Sequence, residues 1–191
     1  NAVIKEVLNL MLNRDIIQEP DFTETIDPEP DEDDVEAEAS ALPKNKWELY
    51  RKAKELLDRD SENYNPPKAM ELLIDSAKLG CGVAKYQLGK LFLNGEHFSK
   101  NIGYALRWLE EAAEEKNQYA EYLLGKLYLK GENVDQDLEK ATELLRRSAM
   151  QGNKYASYAL AKLLLSSEEF SSDTLEAFKH LKTASDKGFA P

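Results

Sequence analysis

From Asn45 to the end of the chain, apolar residues recur at spacings of three and four, which places them on one face of an α-helix. Two such segments, YAEYLLGKLYLKG (119–131) and LEKATELLRRSAMQG (138–152), flank the polar loop ENVDQD. The same succession predicts eight helices, over 47–58, 67–79, 83–94, 102–115, 119–130, 138–151, 155–166 and 173–187. The predicted fold class is therefore all-α.

Residues with strong positional preferences mark the expected helix ends. Gly95 and Gly131 stand where a first helix should stop, because glycine adopts the left-handed conformation that lets the chain turn. Asp137 and Asp173 stand where a side-chain carboxylate caps a second helix. In the first pair, the prolines of DRDSENYNPP occupy a first-turn position after a lengthened turn that lacks glycine.

The helices repeat in pairs, with a period of 36 residues. An alanine column comprises Ala69, Ala105, Ala141 and Ala177. A leucine column comprises Leu73, Leu109, Leu145 and Leu181. A tyrosine column comprises Tyr50, Tyr86, Tyr122 and Tyr158. A small-residue column comprises Ala53, Gly89, Gly125 and Ala161. A glycine column, Gly80, Gly152 and Gly188, is interrupted by Lys116. Such a period predicts a solenoid, in which each unit buries its apolar face against its neighbours.

The columns have a packing interpretation. Small residues on both helices let the backbones approach closely, while leucine and tyrosine fill the space between layers. Replacing Gly125 or Ala141 with a large residue should overpack this contact and cost about 1 to 3 kcal/mol.

These columns resemble the Sel-one-like repeat family, a longer relative of the tetratricopeptide repeat. One repeat fits the family pattern through Ala120, Leu124, Gly125, Tyr128, Gly131, Asp137, Ala141, Leu145, Ser148, Ala149 and Gly152. The preceding repeat fits through Ala84, Leu88, Gly89, Phe92, Gly95, Ala105, Leu109, Ala112 and Ala113. The outer two repeats depart from it, with Ala53, Ala161 and Ser167 in place of glycines. The resemblance implies a right-handed α-solenoid (α-α superhelix) of about four helix pairs that binds protein partners, with the first helices lining its concave side.

Two further segments precede the repeat array, which is expected to cover 45–191. Residues 3–17 form an apolar stripe at helical spacing and predict an amphipathic helix. This helix could dock on the repeats, mediate self-association with another copy, or belong to an upstream domain. Residues 18–44 predict an acidic, proline-containing linker. The stretch from Glu19 to Glu38, called here the acidic segment, carries eleven acids and no base, which leaves 25 acids and 25 bases elsewhere.

The order of these segments also resembles the C-terminal part of relaxases, the strand-nicking mobilisation proteins of bacterial integrative elements. This resemblance implies an accessory role in recruiting transfer proteins, with catalysis in an upstream domain. Asn1 and Ala2 look like a tag remnant, so an excised fragment is expected. A cytoplasmic location is expected, with a periplasmic or envelope location as the alternative if the full-length protein carries a signal.

Catalytic chemistry is not expected from the repeat array. His97 and His180 lack a cysteine or acid at metal-ligand spacing, so the first is interpreted as a solvated loop residue and the second as packing in the last layer. Cys81 is interpreted as a small residue at a helix turn. No catalytic residue, metal, cofactor or membrane span is expected, and the neutral charge count argues against direct nucleic-acid binding.

One polar column is a candidate binding feature. A lysine recurs every 36 residues on the first helices, at Lys54, Lys90, Lys126 and Lys162. The simplest interpretation is four solvated side chains. The functional hypothesis is that this lysine row holds an acidic peptide, from a partner or from the chain's own acidic segment. The function expected is a protein–protein interaction scaffold, and the alternative is a regulatory or envelope-associated adaptor that acts on its own upstream domain.

Overall fold

The computed structural model of the protein describes residues 44–166 and 174–188. Within these ranges the chain forms eight α-helices and no strand. They are α1 (Lys44–Leu57), α2 (Pro66–Lys78), α3 (Gly82–Asn94), α4 (Ile102–Glu114), α5 (Gln118–Lys130), α6 (Leu138–Met150), α7 (Lys154–Ser166) and α8 (Thr174–Asp186). The expectations for segments 3–17 and 18–43, for Ser167 and for the Asp173 cap lie outside the described residues.

The helix bounds follow the sequence pattern closely. Apart from the start of α1, which lies three residues before its predicted position, every end falls within one residue of the prediction. Pro66 and Pro67 open α2, where a missing N–H costs nothing. Asp137 accepts a hydrogen bond from the Lys140 backbone N–H and caps α6. Gly95 and Gly131 end α3 and α5 with φ of 75° and 68°.

The turn after each second helix requires a residue with positive φ, which explains the glycine column. Lys116 adopts this conformation although it is not glycine. Gly80 has φ of +79°, and Lys116 at the equivalent turn has φ of 62°. The interruption that the sequence shows is therefore an interruption of residue type and not of conformation.

The turn of the first repeat keeps the register of the others. The loop over residues 58–65 is one residue longer than the loop over 95–101, because α1 ends one residue earlier. Ala53 and Ala69 are as far apart in sequence as Gly89 and Ala105. The lengthening therefore leaves the helix packing unchanged.

Each helix packs mainly on its neighbours in the chain, as a solenoid requires. The alanine and leucine columns are buried in α2, α4 and α6, and Ala177 is buried in α8. Three apolar clusters form along the array, each spanning adjacent helix pairs. The fold is an all-α repeat solenoid whose core consists of these three clusters in succession.

Candidate binding surface on the first helices

The helices form two layers of very different charge. The first-helix layer (α1, α3, α5 and α7) carries eleven lysines and arginines against three acids, a net charge of +8. The second-helix layer (α2, α4, α6 and α8) carries eight against nine, a net charge of −1. The balanced count read from the sequence therefore conceals a basic layer.

Some of these cations are engaged within the fold. Lys46 is buried and its Nζ donates to the Gly80 carbonyl oxygen at 2.5 Å. Lys85 Nζ lies 2.7 Å from Oε1 of Glu115, the residue that follows α4, and 3.6 Å from Oε2 of Glu111 on α4. These two lysines therefore stabilise the packing of the array.

The lysine row follows the small-residue column directly in sequence. Because one residue turns a helix by 100°, each lysine is rotated away from the face that contacts the second helix. Lys54 is exposed, and Lys90, Lys126 and Lys162 are partly buried. The structure brings Lys54 and Lys90 into one cleft.

This cleft, of about 440 Å³, lies between α1 and α3 and is bounded by the loop that follows α3. Its charged lining has two parts, which can be grouped by sign. The bases are Arg51, Lys54 and Lys90. The acids are Glu55, Asp58 and Glu96, which stand further along α1 and in the loop. The cleft is thus polarised, with its basic end at the level of the lysine row.

Polar side chains in the cleft give it recognition capacity beyond charge. The Oε1 atom of Gln87 is buried and accepts no hydrogen bond from the described residues. Asn94 also lines the cleft. The equivalents of Arg51 and Gln87 on the later first helices are Leu123 and Ala159, which are buried. The polar character of this position therefore belongs to the first two repeats.

Two loops form the rim of the cleft. The Tyr64 hydroxyl lies 3.0 Å from His97 Nδ1, and Arg59 donates to the Glu96 carbonyl oxygen at 3.3 Å. These contacts join the loop after α1 to the loop after α3. The interpretation of His97 as a simply solvated residue is therefore wrong, because it is half-buried and hydrogen-bonded.

The tyrosine column does not contribute to this surface. Tyr86 is completely buried, and Tyr50, Tyr122 and Tyr158 are almost completely buried. Tyr86 packs against Tyr119, the neighbouring tyrosine on α5, with ring centroids 5.9 Å apart. The column is core, so the rings offer no exposed face for stacking.

Titratable groups away from the cleft serve the packing of helix pairs. His180 is partly buried, and desolvation lowers its pKa. Glu176, four residues earlier on α8, lies 3.6 Å from its Nε2, so the expectation that His180 has no acid at such spacing is wrong. Arg146 donates to both carboxylate oxygens of Glu176, at 2.9 and 3.3 Å, and holds the pKa of that carboxyl below its usual range. Burial raises the pKa of Glu121 despite its contact with Arg147.

Cys81 is buried at the start of α3 and makes no side-chain cap hydrogen bond there. Within residues 44–166 and 174–188, no group of three or more His, Cys, Asp and Glu side chains could hold a metal ion. None of the described helices combines the length and apolar character that a membrane crossing requires.

Sequence reasoning found the lysine row but missed the charge difference between layers and the partners of the lysines in the cleft. The charge difference between the layers could have been found by summing charges separately over alternate helices. The sequence could not have identified three other residues of the cleft, namely Arg51, Gln87 and Asn94. A polar residue at these positions gives no signal of binding until the structure shows a gap between α1 and α3.

Comparisons with known structures show what the fold is similar to. A Sel1 repeat protein from Oxalobacter formigenes is 23% identical, with a TM-score of 0.69 over 76% of this chain. The protein c5321, described as a protective antigen of uropathogenic Escherichia coli with an SLR fold, is 20% identical, with a TM-score of 0.70 over 82% of this chain. The chain spans 59% and 33% of the lengths of these two proteins.

Comparison with curated protein sequences gives no significant match. The Sel1 repeat family model matches three consecutive segments, residues 82–117, 118–153 and 154–189. They begin at α3, α5 and α7, so the helix pair α1–α2 stands outside the matched repeats. Because the matched segments make up more than half of the sequence, the chain belongs to the Sel1 repeat family.

Proposed function

We propose that the chain is a non-catalytic protein-binding scaffold whose first-helix layer holds an acidic segment of a partner protein. Repeats of this family generally mediate protein–protein interaction. The observation that carries the finer proposal is the charge of the first-helix layer, +8 against −1 for the second. A carboxylate-rich segment would gain most along the lysine row.

The cleft supplies the anchor of this interaction. Lys54, Lys90 and Arg51 place three cations around one depression large enough for a few peptide residues. A single exposed ion pair contributes only about 0.2 to 1 kcal/mol. Affinity therefore requires several pairs along the row, and salt should weaken it.

A protein partner accounts for this surface better than a nucleic acid does. Single-stranded nucleic acids are typically held by aromatic side chains on which bases stack. The tyrosine column is buried, so its rings offer bases no exposed face for stacking. Nucleic-acid binding remains a distinct outcome of the test below.

The test uses a synthetic peptide with the sequence of residues 19–38, labelled for fluorescence anisotropy. The host is the full chain with its eleven acids in that segment changed to amides, called here the amide variant, so that attached acids do not compete. We expect binding that weakens with salt. Lys54→Glu combined with Lys90→Glu in this host should weaken it at least about tenfold, since several ion pairs become repulsive.

Two further variants control this measurement. Lys179→Glu with Lys182→Glu makes the same charge change on exposed positions of α8, and its affinity should stay within about twofold of the host. Lys54→Arg with Lys90→Arg should retain binding. Equal losses in both glutamate variants, or no binding in any, would contradict the proposal. So would equally tight, lysine-dependent binding of a 20-nucleotide single strand, since that would indicate a site for polyanions in general.

The wider context of the scaffold forms a separate part of the proposal. The order of the apolar segment 3–17, the acidic linker and the repeats supports an accessory C-terminal module of a relaxase. The alternative is an adaptor for an upstream domain of another kind, cytoplasmic or envelope-associated. The full reading frame decides between them. A nuclease-like domain before Val3 supports mobilisation, and a secretory signal supports the envelope adaptor.

A further inference from the structure

We infer that the acidic segment of the chain itself occupies the lysine row intramolecularly and competes there with partner proteins. This inference rests on the proposed function and specifies how the same surface is regulated. It depends on three properties of the molecule, namely the reach of the tether, the match in length and charge, and the effect of covalent attachment.

The tether is long enough to bring the segment to the row. Five residues separate Glu38 from Lys44, where α1 begins, and the distance from Glu38 to Lys44 reaches up to about 20 Å when the chain is extended. Lys54 lies about 15 Å further along α1, at 1.5 Å per residue. The end of the acidic segment can therefore reach the cleft by running back along α1.

The segment also matches the row in length. Its 20 residues extend to about 60 Å in a polyproline II conformation. Successive first helices in a packed array stand roughly 10 Å apart, so the four lysines span about 30 Å. The segment can therefore run across all four first helices.

The charges complement each other along that path. The segment has eleven acids in 20 residues and no base, so a carboxylate recurs about every 6 Å when the chain is extended. The first-helix layer presents the largest excess of cations among the described helices. Of the acids of the cleft, Glu55 and Asp58 follow Lys54 toward and beyond the C-terminal end of α1, and Glu96 lies in the loop after α3.

Covalent attachment makes even weak contacts effective. A segment held by a short flexible tether has an effective concentration on the order of 1 mM. If the free peptide bound with a dissociation constant of about 0.1 mM, the attached segment would fill the site roughly nine-tenths of the time. A partner would then bind about tenfold more weakly than it binds the amide variant.

The first experiment compares the unmodified full chain with the amide variant, using the labelled peptide of residues 19–38 as probe. We expect the unmodified chain to bind the probe about tenfold more weakly. Lys54→Glu with Lys90→Glu should remove this difference in affinity between the two chains, because it weakens the binding of the probe to the amide variant. Equal, tight binding to both chains would overturn the inference and leave the proposed function intact. If the probe bound neither chain, both the inference and the proposed function would be overturned.

The second experiment locates the segment directly. A carbodiimide joins a carboxylate to a neighbouring amine, and peptide mapping of the monomeric full chain then identifies the linked residues. We expect residues 19–38 to be linked to Lys54, Lys90 and Lys126, with a strong decrease in high salt. Links distributed equally to Lys179 and Lys182 on α8 would overturn the inference. Mixing isotope-labelled and unlabelled chains distinguishes links within one chain from links between two chains. Links between chains would contradict an intramolecular contact.

Discussion

At the scale of single residues, Gly89 and Gly125 hold equivalent positions against second helices but have different space around them. A Cβ atom added to Gly89 would stand 2.5 Å from Leu109 Cγ and 3.2 Å from the Ala105 carbonyl oxygen. The same addition at Gly125 would stand 2.9 Å from Leu145 Cγ and 3.4 Å from the Ala141 carbonyl oxygen. The two central repeats are therefore packed to different tightness.

Gly89→Ala should consequently be the more damaging of two matched changes. Alanine gains up to about 1 kcal/mol of helix propensity over glycine, and overpacking costs about 1 to 3 kcal/mol. We expect Gly89→Ala to lower the free energy of unfolding by about 1 to 2 kcal/mol, and Gly125→Ala by less than about 1 kcal/mol. Urea denaturation of both variants measures the difference. A larger loss at Gly125 would contradict this description of the packing.

Glu121 and Lys85 hold equivalent positions with opposite charge. Glu121 is completely buried, accepts a hydrogen bond from Gln151 at 2.6 Å, and has Arg147 Nη2 at 2.6 Å from its Oε1. This contact is best described as an ion pair, because the Arg147 group donates to the Ala113 carbonyl oxygen and Oε1 lacks a hydrogen bond of good geometry. The two central repeats thus form this contact with opposite pairs of charges, whereas the equivalent positions in the outer repeats are Leu49 and Ser157.

Stability should depend on pH through Glu121 in a defined direction. Desolvation raises its pKa above the usual value near 4.5, so the folded protein holds this proton more tightly than the unfolded chain does. Ionisation above pH 4.5 therefore lowers the free energy of unfolding. We expect Glu121→Gln to gain stability relative to the unmodified chain as the pH rises from about 4.5 to 7.

Glu176→Gln supplies a control of opposite sign. Its hydrogen bonds from Arg146 lower the pKa of Glu176, so the ionised form stabilises the fold and that contribution is lost as the pH falls below about 4.5. This variant should lose stability relative to the unmodified chain as the pH rises toward about 4.5, and the difference should then stay constant at higher pH. Chemical denaturation over a pH series measures both. Parallel behaviour of the two variants would contradict the assigned directions.

At the scale of helices, the first turns are fixed by asparagine caps that sequence reasoning missed. Asn117 accepts hydrogen bonds from the backbone N–H groups of Tyr119 and Ala120, at 3.1 and 3.0 Å. Asn153 does the same for α7. The equivalent residue before α3 is Cys81, which makes no such bond. Helix α3 therefore begins without the side-chain cap that α5 and α7 possess.

Asn117→Ala should lower the free energy of unfolding by about 1 to 2 kcal/mol. The change leaves two N–H groups of α5 without their acceptor at a buried position. Asn101→Ala is the matched control, since Asn101 caps α4 with one bond at an exposed position and should cost closer to about 0.5 kcal/mol. Urea denaturation compares them. A loss at Asn101 as large as that at Asn117 would show that burial of the cap has no effect.

At the scale of the whole molecule, stability is distributed between neighbouring helix pairs. The central apolar cluster joins α3 through α6, and Leu109 is fully buried within it. The flanking clusters join the outer helix pairs to the central ones. A solenoid of this kind transmits a perturbation mainly to adjacent repeats.

Leu109→Ala should therefore act locally. Truncating a fully buried leucine costs about 2 to 5 kcal/mol because it leaves a cavity. We expect hydrogen exchange, read by mass spectrometry, to show the largest loss of protection in α3–α6 and a small loss in α8. Leu79→Ala is the control, since Leu79 is half-exposed and its truncation should change little. Uniform loss of protection along the array would contradict nearest-neighbour coupling.

The amino-acid sequence by itself determined the 36-residue period, the eight helices and the residues that form the core. These features depend on local spacing, because the apolar period of a helix and the preferences of Gly, Pro and Asp at its ends act within a few residues. The repeat then extends them along the chain. The all-α solenoid predicted on this basis is confirmed, and so is the family that the repeat columns resemble.

Only the tertiary structure decided which charges share a layer and where a cleft opens. Lys54 and Lys90 line one cleft because the fold brings α1 and α3 near each other, a relation that no local pattern contains. The burial of Glu121 and the tighter packing at Gly89 likewise depend on helices about 20 to 30 residues apart in sequence. Contacts at such separations are set by the packing of whole helices, and a helical period specifies the side that is buried but not the atoms it meets.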